Sequence, residues 1–451
     1  MKIIAIIVTI ICCCLMFVVR RETKAALLVM GAMTMTLVEV PGVPLHKANL
    51  LLQVSFLVSE WDQLLRYIML LRKKTWLTGL LLLACVTALM AALTSPYVGV
   101  FSFLRSELLF KYFALAYAFW AVRGEKSLEP LLRVTLCCLI ILTVVGVINY
   151  LTRSAYVVNA LTTGKTSAVL EDVELGNVFT ESGRFRVQSL FYLPFDYGYT
   201  SLLILLLHLY AWYRKLENWM MFAVAVVCSL FGIITCECRV VWISSILSVG
   251  SFYLWSFPLN RNVVIGILAI YLFIFSYSTI SVVEKNVNKL TDVFKENPRV
   301  SGSSINLRMA QFKMTLRLIE GHEALGRGQG YFAKSWANDI GNVEGLQGLE
   351  SVVFHHLLER GVIGFVLWVV FYAWLFYVFW RDRKRYMLLT GLGISILIAY
   401  LSFAVGTGEL GSVYPTLLLL GVVLKVLEHK KKIRKLVLLL LLLMYGKKSS
   451  T

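Results

Sequence analysis

Along this chain, apolar stretches of about 20 residues, the length a helix needs to cross a hydrocarbon core of roughly 30 Å, alternate with short breaks dense in Lys and Arg. The stretches fall near 3–19, 25–40, 48–65, 76–94, 98–122, 134–151, 189–213, 219–236, 239–257, 263–281, 352–380, 387–406 and 413–428. Lipid offers backbone N–H and C=O groups no partner, so each stretch is predicted to be a helix. The pattern predicts an all-α, polytopic integral membrane helix bundle of about 12–13 transmembrane helices. The apolar tail 436–445 is too short for a span and is predicted to be interfacial. Residues 1–19 have a weak basic start and no small-residue cleavage site, so a retained first span is expected rather than a signal peptide.

The polar breaks set the orientation. Arg20-Arg21-Lys24, Arg72-Lys73-Lys74, Arg123-Lys126-Arg133, Arg214-Lys215, Arg381-Arg383-Lys384-Arg385 and Lys430-Lys431-Lys432-Arg434-Lys435 all fall on one side of the alternating count. Short basic loops stay cytoplasmic, so that side is the cytoplasmic one. The predicted organisation is then an N-terminal set of spans (1–151), a first extracytoplasmic loop (152–188), central spans (189–281), a large extracytoplasmic loop (282–351), and C-terminal spans with a basic cytoplasmic tail (352–451).

Composition agrees: 59% of the 451 residues are apolar and 16% charged, with a mean hydropathy of +0.75. The formal charge of +18 raises the question of nucleic acid, but cytoplasmic rims facing anionic membrane lipid account for most of it and no nucleic-acid motif accompanies it. That rule leaves the cations of the outer loops unexplained. Arg184, Arg186, Lys285, Lys289, Lys295, Arg299, Arg308, Lys313, Arg317, Arg327 and Lys334 imply an anionic partner outside the membrane. The nine cysteines lie in or beside spans, with no disulfide framework and no zinc-like spacing, so neither a metal nor another cofactor is expected.

Three places put arginine at an outer membrane boundary. Arg184 and Arg186 precede Ser189, Phe191, Pro194 and Gly198, where a loop runs into a helix; free N–H groups and arginines there suit phosphate oxygens, although headgroup anchoring would use the same residues. Arg239 follows the short turn Thr235-Cys236-Glu237-Cys238 and needs a partner, either Glu237 or a ligand. Arg308 flanks an amphipathic helix near 304–320, whose stripe Ile305, Met309, Phe312, Leu316 and Ile319 should lie on the bilayer surface or cap the bundle. Gly326-Arg327-Gly328-Gln329-Gly330 follows it.

Glu350 lies just before the span at 352–380. It is either a helix N-terminal acid or a carboxylate placed at the outer mouth of the bundle to accept a proton. His355 and His356 sit one to two turns deeper and rank below it. Arg105, Glu107 and Lys111 fall inside the fifth span, spaced for neighbouring turns, as an ion-pair set, a contact to a lipid diphosphate or a transport path.

In this order the residues resemble the bacterial O-antigen polymerases and ligases, multi-spanning GT-C-like glycosyltransferases. Arg186 with Ser189, Phe191, Pro194 and Gly198 looks like the family's Arg, small residue, Phe, Pro start of a helix, and Cys238-Arg239 looks like its Ser-Arg pair. Arg308, the glycine run, Glu350 and Glu359-Arg360-Gly361-Val362-Ile363-Gly364 resemble the signature of the large outer loop and the following helix. Where the ligases open that helix with His-Asn, this chain has Glu350-Ser351, eleven residues before Gly361, which looks more like a polymerase.

The resemblance implies a glycan transfer on the outer face of the bacterial cytoplasmic membrane, with an undecaprenyl-diphosphate-linked oligosaccharide as substrate; no Asp-x-Asp is present and no second carboxylate is evident for a covalent intermediate, so a metal-independent, inverting transfer is expected. Arg186, Arg239 and Arg308 would bind the diphosphate, and Glu350 would deprotonate the acceptor hydroxyl. A chain-length regulator and a flippase are expected partners by the same resemblance. A ligase remains a second reading and a polysaccharide flippase a third, although internal symmetry of the transporter kind is not evident.

Overall fold

The computed structural model describes residues 2–35, 38, 47–63, 69, 75–155, 157–158, 185–257, 305–334, 349, 351–408 and 412–448, and no strand occurs among them. The predicted span at 263–281, Arg184, Lys285, Lys289, Lys295, Arg299 and Glu350 lie outside the described residues.

The chain runs through α1 (Lys2–Val18), α2 (Arg21–Thr34), α3 (Ala48–Ser59), α4 (Thr75–Leu93), α5 (Val100–Leu104), a π-helical segment (Arg105–Tyr112), α6 (Phe113–Ala121), α7 (Leu128–Thr152), α8 (Pro194–Tyr213), α9 (Trp219–Thr235) and α10 (Arg239–Ser256). It continues in α11 (Ile305–Leu318), the single turn α12 (Tyr331–Lys334), α13 (Val352–Arg381), α14 (Met387–Thr407) and α15 (Val413–Lys448). Trp76–Leu93, Glu125–Thr152, Val352–Arg381 and Met387–Thr407 are long and apolar enough to cross a membrane, and Ile3–Val18, Ala48–Ser59 and Trp219–Thr235 are shorter apolar helices. Outward-facing Leu82, Leu151, Val227 and Ile246 are more than half exposed. An apolar exterior on that scale belongs to an integral membrane protein.

Small residues bring the helices together. Gly391 of α14 sits on Ser256 and Gly406 on Val240, so α10 and α14 run antiparallel along their lengths. Gly198 of α8 leaves room for the Cys236 thiol beyond the end of α9, and a Cβ on Gly421 of α15 would lie 2.5 Å from the Leu115 carbonyl of α6.

One end of this bundle collects the basic breaks. Glu125 pairs with Arg214 at 3.3 Å and Lys430 at 2.6 Å. Lys431 pairs with Asp382, Arg383 donates to the Leu254 carbonyl at 3.0 Å, and Arg21 donates to the Trp120 carbonyl at 3.1 Å while pairing with Glu60 at 3.4 Å. Breaks far apart in sequence therefore share one face, as alternating spans require.

Two predicted spans are not uniform helices. The fifth is π-helical in its middle, from Arg105 to Tyr112. The long span at 352–380 is interrupted at Gly361, whose φ of 65° and ψ of −170° leave the helical region. The tail does not form a separate element either: α15 is unbroken through Lys448. In α11 the apolar Met309 and Leu316 point outward, 50% and 43% exposed, while Gln311 and Thr315 are fully buried. The predicted stripe is therefore split: Ile319 is buried and Phe312 meets the ring of Phe354 at 5.8 Å, whereas Met309 and Leu316 face outward beside the exposed Lys313 and Arg317.

Candidate functional site

Three arginines gather at the end of the bundle opposite the basic breaks. The Val187 amide donates to the Thr235 carbonyl at 3.0 Å, which docks the Arg186 segment on the turn between α9 and α10. Pro194 starts α8, where its missing N–H costs nothing. Arg186 is half-buried, 5.8 Å from the ring of Phe195, and its buried Nε has no hydrogen-bond partner among the described residues. Arg239 opens α10 after Glu237, which takes the left-handed conformation (φ 48°) that lets so short a turn reverse the chain.

The neighbour of Arg239, Val240, packs on Gly406 at the end of α14, and the Gly406 carbonyl accepts from Arg308 of α11 at 2.8 Å. Two residues on, Gly408 faces the ring of His355. His355 meets the Leu349 carbonyl through Nε2 at 3.2 Å and the ring of Phe332 edge-on at 4.7 Å. A continuous set of contacts therefore links Arg186, Arg239 and Arg308 to the residue before Glu350. Ser351 caps α13 by accepting from the Val353 amide at 3.3 Å, so Glu350 directly precedes the cap. His356, one position deeper than His355, is buried against Trp368.

Beside this cluster lies a chain crossing that the sequence did not reveal. In an unbroken helix the amides of Val362 and Ile363 would donate to the carbonyls of Leu358 and Glu359. At Gly361 both pairs are exchanged for partners in the loop after α11. Val362 N–H donates to Glu323 O at 2.8 Å and Ile363 N–H to Ala324 O at 3.2 Å, while Leu358 O and Glu359 O accept from the amides of Arg327 at 2.7 Å and Gly328 at 3.1 Å. Val362 N–H, Ile363 N–H, Leu358 O and Glu359 O all keep a partner, which helps an apolar span tolerate the break. The two strands of chain cross so closely that a Cβ on Gly326 would lie 2.6 Å from backbone atoms of Glu359, Arg360 and Gly361. A Cβ on Gly361 would lie 2.4 Å from the Ala324 carbonyl oxygen.

The loop is held by charge as well. The Glu359 carboxylate accepts from the amides of Gly330 at 3.0 Å and Phe332 at 3.1 Å and from the side chain of Gln329 at 2.6 Å. Gln329 accepts in turn from Arg360 Nε at 2.8 Å. Arg360 pairs with Glu107 in the π segment at 2.6 Å, and Glu107 pairs with Lys111 at 2.9 Å. Arg327 donates from Nε to the Leu318 carbonyl at 2.6 Å, tying the glycine turn back to α11. At the exposed rim, the amides of Glu323 itself and of Gly321 hold the Glu323 carboxyl below its ordinary range.

Of the residues that sequence singled out, Arg186, Arg239, Arg308, His355 and, through the glycine turn, Arg327 come together, whereas Arg184 and Glu350 lie outside the described residues. Glu359, Arg360 and Gln329 were quoted within motifs but given no role. Their signal was a Glu-Arg pair inside an apolar run, which must find partners.

Residues 224–369 match the O-antigen ligase family model. The match supports the O-antigen ligase/polymerase superfamily. The matched segment begins in α9, takes in Arg239, Arg308, the glycine turn and the break at Gly361, and ends in α13. Arg186 precedes it. No curated protein matches the chain.

Proposed function

We propose that this chain is a polymerase of undecaprenyl-diphosphate-linked oligosaccharide repeat units, acting on the outer face of a bacterial cytoplasmic membrane. The supporting observation is the gathering of Arg186, Arg239 and Arg308 at one end of the bundle, opposite the basic breaks, beside the start of α13. Arg239 opens α10, Arg308 lies in the first turn of α11 and Arg186 in the segment leading to α8, and arginines beside helix starts suit a diphosphate.

In this reading the acceptor sugar hydroxyl attacks the anomeric carbon of the donor glycan. Glu350 takes the hydroxyl proton as the new C–O bond forms. The bond from the anomeric carbon to the diphosphate oxygen breaks, and undecaprenyl diphosphate leaves with the electron pair. Arg186, Arg239 and Arg308 neutralise the charge that develops on it. Attack from the face opposite the leaving group inverts the anomeric carbon, and no metal is needed to carry the phosphate charge. Glu350-Ser351 in place of His-Asn favours polymerase over ligase.

The test is a gel of surface glycan and lipid-linked glycan from a deletion strain with and without the wild-type gene. A ladder that collapses to a single lipid-linked repeat unit in the deletion and returns on complementation supports the polymerase. Long polymer accumulating on undecaprenyl diphosphate in the deletion means a ligase, the activity named by the matched family. Loss of every extracytoplasmic product means a flippase.

A further inference from the structure

The crossing at Gly361 joins three parts of the molecule through one run of hydrogen bonds. Arg360 reaches Glu107 in the π segment, Glu359 holds the glycine turn through Gly330, Phe332 and Gln329, and the turn holds α11 through Arg327 and Leu318. α11 carries Arg308, and Phe332 meets the ring of His355 edge-on, while His355 contacts the carbonyl of Leu349, the residue before Glu350. Glu359 and Arg360 are nearly buried, 7% and 6% exposed, so neither is placed to meet a large glycan directly.

We propose that Glu359, acting through Gln329, is a positioning residue for glycan transfer: it fixes the Gly326–Phe332 turn, and so sets Arg308 and the start of α13 against each other. This rests on the transferase reading above. The argument lies in the direction of each hydrogen bond. Gln329 must accept from Arg360 with its oxygen and donate to Glu359 with its nitrogen, while Glu359 must accept from two amides. With Glu359→Gln, two amide NH2 groups face each other or one faces Arg360, and a donor is left unpaired whichever way either side chain flips. With Gln329→Glu, a second carboxylate at a half-buried position meets the buried Glu359.

The double variant, Gln329→Glu with Glu359→Gln, satisfies every partner again. The new carboxylate at 329 accepts from Arg360 and from the amide at 359, whose oxygen accepts from Gly330 and Phe332. Net charge and size are the same as in the wild type; the carboxylate moves from 359 to 329 and the direction of one bond is reversed.

The experiment compares these four chains, full length, in two ways. Hydrogen exchange on protein in lipid nanodiscs reads the amides of 326–334, and glycan product is measured in the deletion strain per molecule of folded protein. Each single variant is expected to speed exchange in the turn and to lower product per molecule about tenfold, the effect of one unmet buried hydrogen bond. The double variant is expected to recover both to within about twofold. If the single variants loosen the turn and reduce protein amount while product per molecule stays at the wild-type level, the network is purely structural and the proposal is overturned. Failure of the double variant to recover product overturns it as well. A wild-type chain that forms no transferred glycan defeats the transferase reading itself, and the exchange data then report on the turn alone.

Discussion

The carboxylate of Glu107 and the guanidinium of Arg360 meet at 2.6 Å across 253 positions of sequence, with side chains only 3% and 6% exposed. Each sits at an irregularity, Glu107 in the π segment and Arg360 next to the break at Gly361. Two helices that depart from regular geometry at membrane depth thus satisfy each other. A π bulge and a helix break are both common at functional sites, and here the ion pair fixes their relative position.

Removing one partner leaves the other charged and buried. Glu107→Ala and Arg360→Ala are each expected to destabilise the fold by about 3–5 kcal/mol, read as a lower unfolding temperature of the purified protein and less protein in the membrane. Glu107→Ala with Arg360→Met is expected to cost less than either single change. Additive losses in that double variant would show that the pair is not coupled.

The crossing of Gly326 and Gly361 makes a sharper steric prediction. Both have positive φ, 72° and 65°, and neither has space for a Cβ. Gly361→Ala and Gly326→Ala should each abolish accumulation of folded protein, because backbone rather than a flexible side chain blocks the added carbon. Gly321, also at positive φ (74°) but with open space around it, is the control; Gly321→Ala should cost only about 1 kcal/mol from backbone strain. The measurement is membrane protein level and monodispersity after extraction.

Much of the fold was legible because hydrophobic length and basic breaks are one-dimensional signals. Arg214, Arg383 and Lys430 sit together at one end as the alternating count expects, and the ends of α8, α9 and α10 fall within a few residues of the apolar runs. The break at Gly361 was not legible, since the residues that replace its lost helical partners, Glu323 to Gly328, lie more than 30 positions away. The π segment was hidden for the same reason: its charges at Arg105, Glu107 and Lys111 read as neighbours on one helix, whereas the decisive partner of Glu107 is Arg360. The arginines of the site were legible as types at a boundary, but their convergence through Thr235, Val240 and Gly406 required the fold.

Orientation can be tested independently of activity. Glu323 lies on the exposed rim of the glycine turn, and Lys384 lies among the basic breaks at the other end. In a chain lacking its native cysteines, a single cysteine at 323 should react with a membrane-impermeant thiol reagent in intact cells. A cysteine at 384 should react only after the membrane is opened. Equal labelling of both in intact cells would contradict the assignment of the arginine cluster to the outside.

The last prediction separates charge binding from proton transfer. In the proposed reading Arg186, Arg239 and Arg308 would each give charge-assisted hydrogen bonds of about 1.5–3 kcal/mol to a diphosphate. Replacing each by Ala should therefore lower transfer roughly 10- to 150-fold, and Lys should recover only part of it because a point charge cannot bind two oxygens at once. Arg308 has a second tie, its bond to the Gly406 carbonyl at 2.8 Å, so Arg308→Ala should also loosen α11. Glu350→Gln keeps the shape but cannot accept the proton, and should abolish turnover while leaving binding of the lipid-linked donor near the wild-type value. Measured in purified protein with lipid-linked substrate, arginine variants that weaken donor binding and a Glu350→Gln variant that does not would distinguish the two roles. A Glu350→Gln enzyme that still transfers glycan at the wild-type rate would remove Glu350 from the mechanism and leave the arginine cluster as the site.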